Sequence, residues 1–218
     1  MCPTRWNERY ESVQTFYSLY ESIIDLLDEV TAIRPSDSLA LGINYHTALI
    51  GSGFIITLLT LNKLLSFTLI ISKNVKDKSI DLMHCKDAIE DIVFILNEIR
   101  KDPDVEYDDI FEGAIELAQY TDSRIDMPRI TKRQVHRNNV PAKDAKEHFK
   151  LNCFIPILYY LITSITDRFS DHVKQALTIS SLIPAYLKPF NELIPSLQLY
   201  HDVLPDGGNM VIHQAEYS

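Results

Sequence analysis

The chain has 218 residues, 46% hydrophobic and 23% charged, enough apolar material for the core of one domain. A formal charge of −9 excludes a protein that coats nucleic acid over its whole surface, because phosphate repels most of such a surface. Six glycines disfavour an all-β or glycine-loop architecture, and Cys2, Cys85 and Cys153 are too scattered for a zinc site or disulfide framework, which suits a reducing compartment.

Residues 1–12 are polar and contain no apolar core of a secretory signal. Val13, Phe16, Tyr17, Tyr20, Ile24, Leu27 and Val30 step by three and four, predicting one helix over residues 8–33 with these side chains inward. Pro35 marks its stop, and Ser36 or Asp37 is suited to cap a second helix, interrupted around Gly51, Ser52 and Gly53.

The apolar run over residues 54–72 is about 28 Å long as a helix, nearly a bilayer's thickness. Asn62 and Lys63 lie near its middle, and Thr57, Thr60, Lys63 and Ser66 recur every three residues. A central lysine costs roughly 2.5–3.5 kcal/mol in hydrocarbon, so the run reads as a core helix rather than a membrane span.

Ser79 is suited to cap the next helix, with Asp81 in its first turn and Cys85, Ile89, Ile92, Val93, Leu96 and Ile99 inward. Asp102, Pro103 and Asp104 end it. A shorter helix over 105–120 turns Ile110, Phe111, Ala114, Ile115 and Ala118 inward. A long helix is expected over 145–169, carrying Phe149, Cys153, Leu158, Leu161, Ile162 and Ile165, with Pro156 kinking or restarting it. Another is expected over 171–182, before Pro184, Pro189 and Pro195 break the chain. With no run of alternating strands and no internal repeat, the fold class is all-α.

Charge divides sharply. Residues 77–126 hold 15 acidic and 5 basic side chains; residues 127–150 hold 7 basic and 2 acidic. The proline-bracketed segment MPRITKRQVHRNNVPA, with its basic loop over 127–143, has the composition of a phosphate-contacting loop through Arg129, Lys132, Arg133 and Arg137. The other reading has this loop folding back to neutralise the acidic helices. Residues 125–147 contain no aromatic side chain, which disfavours base stacking on single strands.

No catalytic or metal-binding constellation stands out. Asp25 with Asp28, Asp108 with Asp109, and Glu112 with Glu116 have solvent-face spacing, and the seven histidines are scattered. HExxH, CxxC, GxSxG and phosphate-loop patterns are absent. The expectation is no enzyme, no cofactor and no metal.

An ordered series of words carries a family resemblance. CPTRW at residues 2–6, ERYESVQTFYSLYESIIDLL, KLLSFTLIISKNVKDKSIDL, the basic segment and FIPILYYLITSITDRFS resemble the insertion domain of hAT-type transposases. They are similar in particular to the hAT-derived regions of zinc finger MYM-type and THAP-type proteins. The resemblance runs over residues 2–205. It implies a helical insertion (1–205) without the ribonuclease H-like sheet, and a tail (206–218) opening a further segment. In that family two catalytic aspartates precede the TRW and a glutamate follows in a Ser-Glu-Arg motif. None matches a residue here, and Glu216 stands outside that context. Trp6 matches by position a tryptophan near the transposon-end hairpin, which implies a nucleic-acid contact.

The reading is therefore a non-enzymatic, transposase-derived helical domain with weak DNA or chromatin binding through the basic loop. It is expected to be nuclear (alternatively cytoplasmic), monomeric and not membrane-bound. The alternatives are a protein-interaction scaffold using the acidic helical face over 102–116, and a fragment without selected function.

Overall fold

A computed structural model describes residues 4–32, 37–76, 82–129, 139–169 and 202, and every regular element among them is helical. The chain is an all-α fold. The expected Ser36 and Ser79 caps, the helix over 171–182, the proline breaks after it and the 206–218 tail lie outside the described residues.

The first long helix is two. α1 (Thr4–Ser18) and α2 (Tyr20–Ala32) meet at Leu19. There Ser18 Oγ donates to the Thr15 carbonyl at 2.9 Å, and the Leu19 amide is shared between the Thr15 and Phe16 carbonyls. This local side-chain competition loosens the ladder where the two helices join. Tyr20 and Ile24 are buried as expected, but Tyr17 and Val30 are exposed.

α3 (Asp37–Leu49) folds back antiparallel to α2, and α4 (Ser52–Lys76) is the hub of the fold, touching α1, α5 (Leu82–Lys101), α6 (Asp104–Tyr120) and α8 (Ile155–Arg168). Ile55, Ile56, Leu58, Leu64 and Leu65 of α4 are buried. Burying an aliphatic side chain of this kind is worth about 1.5–3 kcal/mol, so α4 supplies the largest apolar share from any one helix. Its polar stripe is absorbed in part, the hydroxyl of wholly buried Thr60 having no hydrogen-bond partner among the described residues. Thr57, Ser66 and Thr68 hydroxyls donate to the Gly53, Lys63 and Leu65 carbonyls, and Lys63 Nζ lies 2.7 Å from Glu106 of α6. By length and composition alone, Ser52–Leu69 and Ala145–Arg168 are apolar enough to cross a bilayer.

Phe16 meets the ring of Phe54 edge-on at 5.6 Å. The C-terminal end of α1 therefore lies at the start of α4, and the two run antiparallel. On α5, Ile89, Ile92, Leu96 and Ile99 are buried; on α6, Ile110, Ala114 and Ala118 are. Ile115, expected inward, is exposed, one step outside the strip that α4 covers.

The helix expected over 145–169 is broken as Pro156 predicts, but by an unusual device. α7 (Ala145–Phe149) passes into a π-helical turn at Lys150–Phe154 before α8 begins. A proline cannot donate and crowds the carbonyl four residues back; widening that turn makes room for the ring. Phe149, Phe154, Leu158, Leu161, Ile162 and Ile165 remain buried throughout.

Candidate nucleic-acid interface and its anchors

The basic segment is strung between two anchors. At its start, α6 ends in a Schellman turn. Asp122 takes φ 50°, the Ser123 amide donates to the Ala118 carbonyl and the Asp122 amide to that of Gln119. Aspartate is among the few non-glycine residues that tolerate this left-handed backbone. The turn directs the chain to the N-terminus of α4, where Ser52 Oγ donates to the Arg124 carbonyl at 3.1 Å and accepts the Asp126 amide at 3.0 Å.

At its end, the Asn152 side chain stands in for a strand partner. Its Oδ1 accepts the Val140 amide at 2.7 Å, and its Nδ2 donates to the Val140 carbonyl at 3.0 Å and to the His148 carbonyl at 3.0 Å. Asn152 sits in the π-helical turn. Four residues past Val140, Asp144 caps α7 by accepting the Glu147 amide at 2.8 Å, and Glu147 reaches back to the Lys143 amide at 2.6 Å, a variant of the capping box. The anchors are near neighbours in space: a Cβ added at Gly53, next to Ser52, would lie 3.9 Å from the ring of Phe149.

Of the expected phosphate contacts, Arg129 is exposed, with no ion-pair partner among the described residues. Lys132, Arg133 and Arg137 lie outside the described residues. Trp6 is in the first turn of α1, and its side chain lies outside the description. Ten residues separate Trp6 from Phe16, about 15 Å along a helix. Since Phe16 marks the Ser52 end of α4, the fold does not bring Trp6 beside the first anchor.

Basic and acidic segments do meet. Lys146 pairs with Asp108 at 2.8 Å and Lys150 with Asp104 at 2.5 Å. The hydrogen bond to Asp108 raises the Lys146 pKa. These two lysines, which follow the loop over 127–143, staple α7 and the π-helical turn onto α6. Tyr107, wholly buried, reinforces the same junction through a 2.9 Å bond to the Lys146 carbonyl and a ring contact with Phe154 at 5.4 Å.

Asp25 and Asp28, two of the carboxylates expected on a solvent face, are exposed and also have partners. Asp25 accepts the Tyr120 hydroxyl at 3.0 Å, which raises that phenol's pKa, and Asp28 lies 3.1 Å from His46 Nε2. Cys153 packs beside Thr57 Oγ1 at 3.4 Å. Burial pushes its thiol upward, away from the thiolate a nucleophile needs. No three His, Cys, Asp or Glu side chains converge on a metal-sized site among the described residues.

Sequence patterns pointed to the basic segment but missed its anchors. The only signals were a serine between two glycines and an asparagine inside a helix, where asparagine competes with the backbone for hydrogen bonds.

The helical fold and anchored basic segment define an all-α domain without fixing a family. No family model matches the chain, and no solved structure matches it. Curated proteins do match it, among them a human and a mouse relative. The human "52 kDa repressor of the inhibitor of the protein kinase" (Homo sapiens) is 25% identical over 192 residues, covering 86% of this chain and 25% of the relative. Its mouse counterpart (Mus musculus) is 23% identical over the same span and shares. The chain thus spans about a quarter of the length of the curated relatives it matches.

Proposed function

We propose that the chain is a non-catalytic, transposase-derived regulatory module that binds DNA weakly through its basic segment. The observation that carries the reading is the alignment, which extends over 86% of the chain to proteins named as repressors. The hAT-type and zinc finger MYM-type resemblance of the TRW and MPRITKRQVHRNNVPA words supports the transposase derivation. The module works in the nucleus, as a monomer, without cofactor and without inserting into a membrane.

The anchors support the DNA contact. Ser52 and Asn152 fix both ends of the segment, so fewer backbone states are lost when it meets a phosphate backbone. Arg129, Lys132, Arg133 and Arg137 supply the charge, while Lys146 and Lys150 are committed to α6. That commitment also bears on the scaffold alternative, since it occupies Asp104 and Asp108 on the acidic face.

Gel-shift titration of duplex DNA at several salt concentrations tests the proposal. Each phosphate contact contributes roughly 0.9 to the log–log salt slope. Neutralising all four cations to glutamine lowers that slope by about 3–4. An unchanged slope and affinity would remove the basic segment from the mechanism.

A further inference from the structure

The α2–α3 hairpin has two unlike faces. Leu19, Ile23, Leu26 and Val30 step by four, three and four along one flank of the α2 region, whereas Glu21, Asp25 and Asp28 run along the other. Two contacts fix how α3 lies against them. A Cβ at Gly42 would sit 3.5 Å from Val30 Cγ1, and His46 reaches Asp28. In an antiparallel pair this rotation puts Leu41 and Tyr45 on the Leu26–Val30 side, and Ile43 and Thr47 on the acidic side. Leu26, Leu41 and Tyr45 are 58%, 56% and 57% exposed. The strip begins in a groove of about 440 Å³ where Phe16, Leu19 and Ile23 line the α1–α2 junction.

We propose that this apolar face of the α2–α3 hairpin docks an amphipathic helix of a partner protein, one with an apolar stripe flanked by Lys or Arg. Charge selects this occupant. Residues 20–49 contain five acidic side chains and one basic, Arg34; exposed Glu29 lies about a quarter turn from the strip at its Val30 end, and Glu11 lines the groove at its start. A second copy of the chain, or an anionic bilayer, would bring like charges together; a basic-flanked helix brings opposite ones. From Leu19 to Val30 the strip is about 16 Å long, three turns of a partner helix. The surface shares no residue with the basic segment, and the proposal does not depend on DNA binding.

The probe is a fluorescein-labelled helical peptide of about four turns, with leucines at i, i+3, i+4 and i+7 and lysines on the flanks. It is titrated by anisotropy against the full chain. The result expected is saturable binding, weakened at least tenfold by Leu26→Glu with Leu41→Glu, and at least tenfold weaker binding of a scrambled or glutamate-flanked peptide. Circular dichroism of the double variant should match the parent, since both leucines are exposed. Absence of binding, equal binding by the double variant, or equal binding of the scrambled peptide would each overturn the proposal. So would sedimentation showing a dimer that the double variant abolishes, which would make a second copy the occupant.

Discussion

Replacing Asn152 with alanine removes three side-chain hydrogen bonds to the backbone at once. Those to the Val140 amide and carbonyl, at 2.7 and 3.0 Å, hold the incoming chain; the one to the His148 carbonyl, at 3.0 Å, stays within the helix. Each net intramolecular bond is worth about 0.5–1.5 kcal/mol, but Val140 is exposed, so water replaces part of what is lost. The expected global destabilisation is therefore about 1–2 kcal/mol, below the roughly 3–5 kcal/mol for truncating a buried phenylalanine such as Phe154. The local effect is larger. The Val140 amide loses its acceptor, and its hydrogen exchange should rise to the rate of an open loop while amides of α4 and α6 stay protected. Asn152→Asp should be worse than alanine, since it keeps the acceptor for the amide but sets carboxylate oxygen against two carbonyls. Urea unfolding and amide exchange by NMR read both effects. Unchanged Val140 exchange in Asn152→Ala, or better tolerance of aspartate than of alanine, would refute this role for Asn152.

Two further outcomes concern the core. Burial raises the Tyr20 phenol to about 12 and shifts that of Tyr107 the same way. An unfolded tyrosine releases its proton near pH 10, so the stability held in these neutral phenols is fully present below pH 10 and is lost as pH rises toward the folded values. For Tyr20 alone that is about 2–3 kcal/mol. Urea midpoints at pH 8, 10 and 11 should fall steeply in the parent and less in a Tyr20→Phe, Tyr107→Phe variant; parallel slopes refute this. Lys63 and Glu106 should couple by about 1–2 kcal/mol in a double-mutant cycle. Lys63→Met leaves the enclosed Glu106 Oε2 without its cation, and adding Glu106→Gln restores part of the loss. An additive cycle would mean that solvent already screens the pair.

Helical spacing located α4, α5 and α6 and most of their buried residues, because a stripe at period 3.6 is a local property. It could not say how wide a strip each neighbour covers. Tyr17, Val30 and Ile115 all lie on the flank of a predicted face, and all are exposed. Pro156 announced a break in the last described helix, since its missing donor is local too; the π-helical solution depends on how Phe149 and Phe154 must both point inward. Ser52 and Asp126 are 74 residues apart, and Tyr120 and Asp25 are 95 apart. No spacing rule reaches across such distances, so the anchors became visible only in the fold.

The division of charge along the chain serves two ends that composition alone merges. Lys146 and Lys150 lie one helical turn apart, as do their partners Asp108 and Asp104, so the two pairs form a register between α6 and the start of the next helical rod. A one-turn slip would leave one cation and one carboxylate without partners. Exposed pairs of this kind add about 0–1 kcal/mol each, which makes their worth one of alignment more than of strength. Alignment matters here because Asn152 sits within the same rod, two residues past Lys150. Holding that rod on α6 sets where Val140 is caught, and hence where the basic segment ends. Cations spent on register are then distinct from those left for a partner, and a variant lacking Lys146 and Lys150 should disturb the segment's anchoring while a variant lacking Arg129 should not.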